Sequence, residues 1–200
     1  EASGWFTKNI RSPEDIKGLR MRGFGLGGRV MSRLGAQTVL VPGGKIGEAF
    51  NKHEIDGAEF LTLAVDQRQR LQDHAKIIYV PGWHQPETVL ELLINEDKWN
   101  ALSEEQQTVL ETACRSMLLT TLAESPRLQT AALAELAKQG VRIKTWSDDL
   151  ARAFRGAWEE VASEESSRDP FFRTVLSDLE KFRAGPEPSA PSLPPMPPAP

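Results

Sequence analysis

The sequence predicts an α/β protein whose first half carries a sheet and whose second half is mainly helical. Three observations carry that prediction. Short apolar segments at 19–22, 38–41, 55–60 and 77–80 alternate with helix-like segments over short connections, the pattern of a parallel α/β sheet. Helix signals dominate from Asp97 onward. One strand-like segment, 141–146, returns late, so the later helices are expected to brace a sheet or second lobe that the first half does not complete.

The elements follow from local chemistry. Ser12-Pro13-Glu14-Asp15 is a helix start, with a hydroxyl cap, proline at the first helical position and acids in the first turn. That helix ends at Gly18. Residues 19–22 alternate, with Leu19 and Met21 on one side and Arg20 and Arg22 on the other. The glycines at 23, 25, 27 and 28 predict a turn before a helix at 29–34 that Gly35 closes. A β-branched strand at 38–41 stops at Pro42-Gly43-Gly44, a helix spans 46–53, and a strand at 55–60 is interrupted by Gly57. The polar segment 62–76 reads as one helix. A buried strand follows at 77–80, then a loop at 81–86 and an extended apolar run at 88–94.

Ser103 with Gln106 three residues on is a capping box. The helix it opens carries Leu110, Cys114, Met117, Leu118 and Leu122 at helical spacing, which predicts a core position for Cys114. Pro126 is expected to kink or break that helix before 128–139 resume. Ser147-Asp148-Asp149 opens a helix to about 163, and Asp169-Pro170 opens the last, to about 182. Eight of the 14 prolines lie in the last 16 residues, so 185–200 is expected to be an extended tail outside a folded region of 1–184. Within it, 5–95 is the expected α/β lobe and 96–184 the helical bracing segment.

Composition excludes several functions. With 24 basic against 28 acidic residues and a net charge of −4, the chain lacks the basic excess of a nucleic-acid binder. No apolar run approaches the ~20 residues that span a bilayer. A single cysteine rules out an internal disulfide and a cysteine cage for metal. The histidines at 53, 74 and 84 share no metal-ligand spacing, and no G-x-S-x-G is present.

Three places can carry chemistry. Gly23, Gly25 and Gly28 satisfy G-x-G-x-x-G, but the following strand ends in Pro42-Gly43-Gly44-Lys45 without the acid that would hold a ribose. The same segment makes a simpler anion site, in which Arg22 leaves a strand end beside a helix amino terminus. The alternative is a solvated arginine. Glu59 lies at the end of an apolar strand. If buried, it must be paired, hydrogen-bonded or bound to a hard cation; the alternative is an edge glutamate facing water. Trp83 and His84, on a proline-bounded loop, are candidates for a pocket wall, with packing the alternative for Trp83.

Taken in series, Gly4-Trp5-Phe6, Ser12-Pro13-Glu14-Asp15-Ile16-Lys17-Gly18-Leu19-Arg20-Met21-Arg22, Gly25-Leu26-Gly27-Gly28, Arg33-Leu34-Gly35-Ala36, Val41-Pro42-Gly43-Gly44, Ile55-Asp56-Gly57-Ala58-Glu59 and Tyr79-Val80-Pro81-Gly82-Trp83-His84 resemble one family over about residues 4–183. It is the DctP-like solute receptors of tripartite ATP-independent periplasmic (TRAP) transporters, in the branch that binds 2-oxo acids and related carboxylates. The resemblance implies a two-lobed, periplasmic-binding-protein-like fold, of which this chain holds the second lobe and its bracing helices. It implies that Arg22 pairs with the substrate carboxylate. Glu59, with the Phe60 backbone, matches the position of a sodium or calcium ion that bridges to substrate, and many members have tryptophan where Phe60 stands. Trp83 and His84 fall near the pocket. A side-chain amide of the branch would fall at Glu1 or Ala2, and neither is an amide. The chain opens on Glu1 without a methionine or signal peptide, so the expectation is a receptor that lacks its leader and first lobe here.

The function this implies is a periplasmic receptor that binds a small organic acid such as pyruvate. It would deliver the acid to small and large membrane subunits, with no reaction and no organic cofactor. A homodimer is a further partner. The competing readings are an NAD(P)-dependent oxidoreductase, from the glycine motif, and a non-functional truncated receptor.

Overall fold

The structure, a computed structural model, describes residues 1–85 and 88–185; the proline-rich segment 186–200 and positions 86 and 87 lie outside the described residues. Six short strands form one sheet: β1 (Gly4–Phe6), β2 (Arg20–Arg22), β3 (Gln37–Val39), β4 (Gly57–Ala58), β5 (Ile77–Tyr79) and β6 (Arg142–Lys144). Their order is β3-β2-β4-β1-β5-β6. The α/β class holds, but the sheet is mixed rather than parallel. β2 pairs parallel with β3 and β4, and β5 with β6, whereas β1 runs antiparallel to both neighbours, β4 and β5.

β1 is the element that the sequence pattern does not signal. It is three residues long and has too few positions to show alternation. Its position is nevertheless central. Gly4 sits at φ +132°, where a Cβ would lie 2.9 Å from the Ala58 carbonyl oxygen, so a side chain there would collide with β4.

Period-two alternation divides the core between the two faces of the sheet. Trp5, Ala58 and Ile78 face one cluster, completed by Ile46, Phe50, Leu71 and Leu136. Phe6, Met21, Ile77 and Tyr79 face the other, completed by Ile16, Leu19, Met31, Leu150 and Phe154. Both faces are therefore buried. At the start of β2, Arg20 grips Asp56 as a fork, with Nη2 to Oδ1 at 2.8 Å and Nε to Oδ2 at 3.1 Å, which ties β2 to the approach of β4.

Helix α1 (Gly25–Arg33) begins four residues earlier than the sequence predicts, taking Gly25, Gly27 and Gly28 into its first turn. Helix α2 covers Ile46–Asn51. The expected single helix at 62–76 is instead α3 (Leu63–Arg68) and a 3-10 turn (Leu71–Asp73), separated by Arg70 in the left-handed region at φ 58°. The run at 88–94 adopts no strand, and Val89, Leu90 and Leu93 are exposed. A short helix α4 (Glu96–Asn100) precedes α5 (Glu104–Lys138).

Two expectations fail on α5. Pro126 lies inside a continuous 35-residue helix instead of breaking it. Proline has no amide hydrogen and so forfeits a single rung of the ladder. The helix is held on both sides of that rung, by the Ser103–Gln106 capping box and by Ala132 and Leu136, which are buried. Ala64 N–H also donates to Gln129 Oε1 at 3.1 Å, docking α3 on its carboxyl half. Cys114 is exposed, not buried, as are Met117, Leu118 and Leu122 on the same stripe. An apolar stripe shows what a helix can bury, and among the described residues nothing covers this part.

Two compact units, 1–157 and 158–200, divide the chain within helix α6 (Asp148–Arg168). In the first unit, Leu150 and Phe154 complete the second core cluster. In the second, Asp169 caps α7 (Pro170–Ala184), its Oδ1 accepting from Phe171 N–H at 2.8 Å and Phe172 N–H at 3.2 Å. No described helix is long and apolar enough to cross a membrane.

Beneath β1 lies a buried carboxylate. Asp66 Oδ2 accepts from Trp5 Nε1 at 2.8 Å, and Oδ1 from Leu61 N–H at 3.1 Å. Burial pushes its pKa up to about 6, against the opposing effect of those two hydrogen bonds.

Two outcomes are expected. Pro126→Ala restores the missing rung and raises stability by up to about 3 kcal/mol, read as a higher melting temperature with unchanged helical circular dichroism. For Asp66, the folded-state pKa lies above the unfolded one, so its contribution to stability is greatest below about pH 4 and falls as pH rises to about 6, by a few kcal/mol at most. Denaturant titrations of wild type and Asp66→Asn from pH 4 to 7 are expected to show a shallower decline in the variant. Parallel curves would refute the assignment.

Candidate functional site

The site is built where β2 and β4 end side by side. Met21 pairs with Gly57 and Arg22 with Ala58, so the parallel register delivers Arg22 and the next residue along, Glu59, to the same edge. Gly57 is required at this crossing, since a Cβ there would lie 2.8 Å from the Phe6 ring. Arg22 is buried, 7% exposed. Its Nε donates to the Val41 carbonyl at 3.2 Å, beyond the end of β3. Its Nη1 donates to the Glu59 carbonyl and to Glu59 Oε2, the latter at 3.2 Å. Among the described residues Nη2 has no such partner. The guanidinium carbon lies 5.0 Å from the Phe24 ring centroid and 5.7 Å from that of Phe60, in cation–π range of both.

Glu59 and Arg22 form an ion pair that burial works against. Desolvation pushes the Glu59 carboxyl up to about 7 despite the Arg22 charge beside it, with Glu1 and Asp66 adding to the rise. Desolvation also lowers the Arg22 pKa, opposed by Glu59 and Asp66. Each partner is thus shifted toward its neutral form, so one pair contact does not replace the water each has lost. An anion on Arg22 and a cation on Glu59 would relieve both. Phe60 is positioned by Gly43, which leaves no room for a Cβ beneath its ring.

His84 lies on the same edge. One ligand atom each from Glu1, Glu59 and His84 fall within 4.8 Å of one another, so the donor set present suits a cation. His84 Nδ1 is buried with no hydrogen-bond partner among the described residues. Burial lowers its pKa, which keeps the imidazole neutral at physiological pH. Trp83 is placed differently. It stacks on Phe154 with ring centroids 4.6 Å apart and packs against the second core cluster, while its ring centroid lies 5.1 Å from that of His84.

Several residues that matter here were not singled out from sequence. Ser3 is fully buried. Its hydroxyl donates to the Pro81 carbonyl at 2.7 Å and accepts from Trp83 N–H at 3.1 Å and Trp146 Nε1 at 2.7 Å. It pins the 81–84 loop to the start of β1. Phe24 also borders the site, two residues from the guanidinium it flanks, as does Glu1, one of the two positions where the resemblance places a side-chain amide. The Ser3 contacts join segments far apart in sequence, which spacing does not reveal. The glycine motif has an internal explanation: a Cβ on Gly28 would lie 3.1 Å from the Gly23 carbonyl carbon, so these glycines let α1 approach the end of β2.

The geometry is that of a buried arginine clamp beside a cation-competent carboxylate, and it can be set beside known proteins. The sequence matches the family of bacterial extracellular solute-binding proteins, family 7 (DctP), over residues 2–168. It is 36% identical over 183 residues to the monocarboxylate 2-oxoacid-binding periplasmic protein of Nostoc sp. (strain PCC 7120), covering 92% of this chain and 50% of that protein. Among solved structures it is similar to a TRAP periplasmic solute binding protein from Colwellia psychrerythraea with bound calcium and pyruvate. There the TM-score is 0.82 and the identity 30%, over 91% of this chain and 56% of that one. A TRAP periplasmic solute binding protein from Pseudoalteromonas atlantica with bound sodium and pyruvate gives a TM-score of 0.82 at 27% identity, over 92% of this chain and 57% of that one. The chain spans about half the length of the curated relative it matches. With the family matched over residues 2–168 of this chain and the same fold in its structural neighbours, this chain belongs to the bacterial extracellular solute-binding proteins of family 7.

Proposed function

We propose that this chain forms the carboxylate-holding lobe of a periplasmic receptor for a small 2-oxo acid such as pyruvate, which it delivers to the membrane subunits of a TRAP transporter without reacting it. The observation that carries this is the buried Arg22 fork. Its Nε and Nη1 are fixed by Val41 and Glu59, the β2 strand end and the α1 amino terminus set it in place, and two aromatic rings flank it. A guanidinium held this way meets a carboxylate with its orientation already determined, so little entropy is lost on binding.

Glu59, with the Phe60 carbonyl, is the proposed seat of a sodium or calcium ion that bridges to the acid. The charge balance supports it, because the Arg22–Glu59 pair leaves each partner under-compensated. Substrate anion and cation then enter together, each answering one half of the pair. Phe60 supplies an apolar wall beside the clamp. Trp83 reaches the site only through His84, so its share in binding is to hold that loop against Phe154. The relatives named above that carry pyruvate with calcium or sodium support the same ligand class.

The test is a titration of the 200-residue chain with pyruvate, longer 2-oxo acids and lactate, each with sodium or with calcium, read by tryptophan fluorescence and melting temperature. A saturable response to at least one acid is expected. Arg22→Ala is expected to abolish it, since removing one partner of a desolvated charge pair costs about 2–5 kcal/mol. Arg22→Lys keeps the charge without the fork and is expected to weaken binding severely. No response to any carboxylate with either cation overturns the proposal, and stabilisation by NAD(H) or NADP(H) alone replaces it with a nucleotide site.

A further inference from the structure

We propose that Asp66 is a positioning residue for ligand binding, whose buried carboxylate fixes the two-residue span Glu59–Phe60 beside Arg22 by holding the Leu61 N–H that follows it. The proposal rests on the receptor reading. It adds a residue that is fully buried and acts only through its neighbours.

The span is short and is held at both ends. On the near side Ala58, the last residue of β4, pairs with Trp5 of β1. On the far side Leu61 is tied through both of its peptide groups. Its N–H donates to Asp66 Oδ1 at 3.1 Å, and its carbonyl accepts from Ala2 N–H at 3.5 Å. Between these ties lie the groups that the site draws on. The Glu59 carbonyl and carboxylate accept from Arg22 Nη1, and the Phe60 ring centroid lies 5.7 Å from the guanidinium carbon. Loosening Leu61 frees both residues at once.

Asp66 reaches this tie from the helix into which the span runs. It lies in the first turn of α3, where its own N–H donates to the Thr62 carbonyl at 2.9 Å. Its carboxylate therefore folds back over the helix start onto Leu61. The second oxygen, Oδ2, accepts from Trp5 Nε1 at 2.8 Å. One side chain thus joins the exit of β4, the start of α3 and the strand at the middle of the sheet.

The chemistry of the group matters as much as its place. Two N–H donors converge on it, and a carboxylate answers both because it accepts at each oxygen. An asparagine would accept at one position and set an amide N–H against the other donor. Burial disfavours the charged form of Asp66, so the group costs stability that an apolar pair of the same shape would not. What it supplies is a fixed direction for the Leu61 N–H, and with it for the two residues before.

The experiment measures, by calorimetry on the 200-residue chain with calcium present, the affinity for the tightest-binding acid among pyruvate, longer 2-oxo acids and lactate. Asp66→Asn is expected to weaken binding at least about tenfold, the scale on which partners that orient binding groups act. In Trp5→Phe/Asp66→Asn the indole donor is gone, so the asparagine oxygen accepts from Leu61 with nothing opposing its amide. That double variant is expected to bind within a few fold of Trp5→Phe alone. Its recovery separates positioning from charge, because it lacks the Asp66 charge just as the single variant does. A folded Asp66→Asn chain that binds like wild type overturns the proposal, as does a double variant no tighter than Asp66→Asn. Should Asp66→Asn melt too low to titrate, the comparison moves into the Trp5→Phe background. There Asp66→Ala, which has no acceptor, is expected to bind at least about tenfold more weakly than Asp66→Asn, and equal affinities overturn the proposal. Any of these failures in a chain whose wild type binds leaves the receptor reading standing. A wild-type chain that answers no carboxylate ends both.

Discussion

The buried guanidinium of Arg22 is the constraint around which the rest of this edge is arranged. A charge removed from water must find compensation within the protein. Here it comes from three groups on two segments: the Val41 carbonyl beyond β3, and the carbonyl and carboxylate of Glu59 beyond β4. Each of those segments leaves the sheet beside β2, so the parallel pairing β3-β2-β4 is what makes the compensation available. The compensation is partial, and a partly answered pair is a poor stabilising device. It is a good receiving one, because an incoming anion and cation complete it instead of displacing existing partners.

The second organising element is β1. A three-residue strand contributes little as a strand, but in the middle of the sheet it pairs on both sides and sends Trp5 and Phe6 into opposite cores. Its antiparallel direction places the chain's first residues at the functional edge. Ser3 then uses one hydroxyl to satisfy a carbonyl, an amide and an indole from three other positions. Trp146 in turn stacks on Tyr79 at 3.9 Å, and Tyr79 exchanges hydrogen bonds with Ile10. The loop that carries His84 is thus anchored through the core and not through its own local structure.

Where local chemistry decides an element, the sequence was a reliable guide. The capping box at Ser103 and Gln106, the Asp169-Pro170 start of α7, and the glycine-rich passage from β2 into α1 all stand in the structure, the last with α1 beginning earlier. Where an outcome depends on what an element meets, it was a poor guide. The stripe containing Cys114 has helical periodicity but no neighbour among the described residues. Pro126 carries a helix-breaking signal, yet the anchoring of α5 on both sides outweighs one lost rung. The run at 88–94 is apolar enough for a strand but pairs with none.

For the site, the sequence by itself determined the chemical types: an arginine at a strand end before a helix amino terminus, an acid two residues past Gly57, and an imidazole on a short loop. Those choices are local, because backbone direction and side-chain chemistry are set within a few residues. Tertiary structure alone decided which of them meet. Pairing between strands distant in the chain brings Arg22 to Glu59 and brings Glu1 to Glu59 and His84, and it also turns Trp83 toward Phe154. Sequence spacing carries no record of these meetings, since contacts across a sheet depend on strand order and direction, and β1, the strand that sets both here, is too short to declare itself.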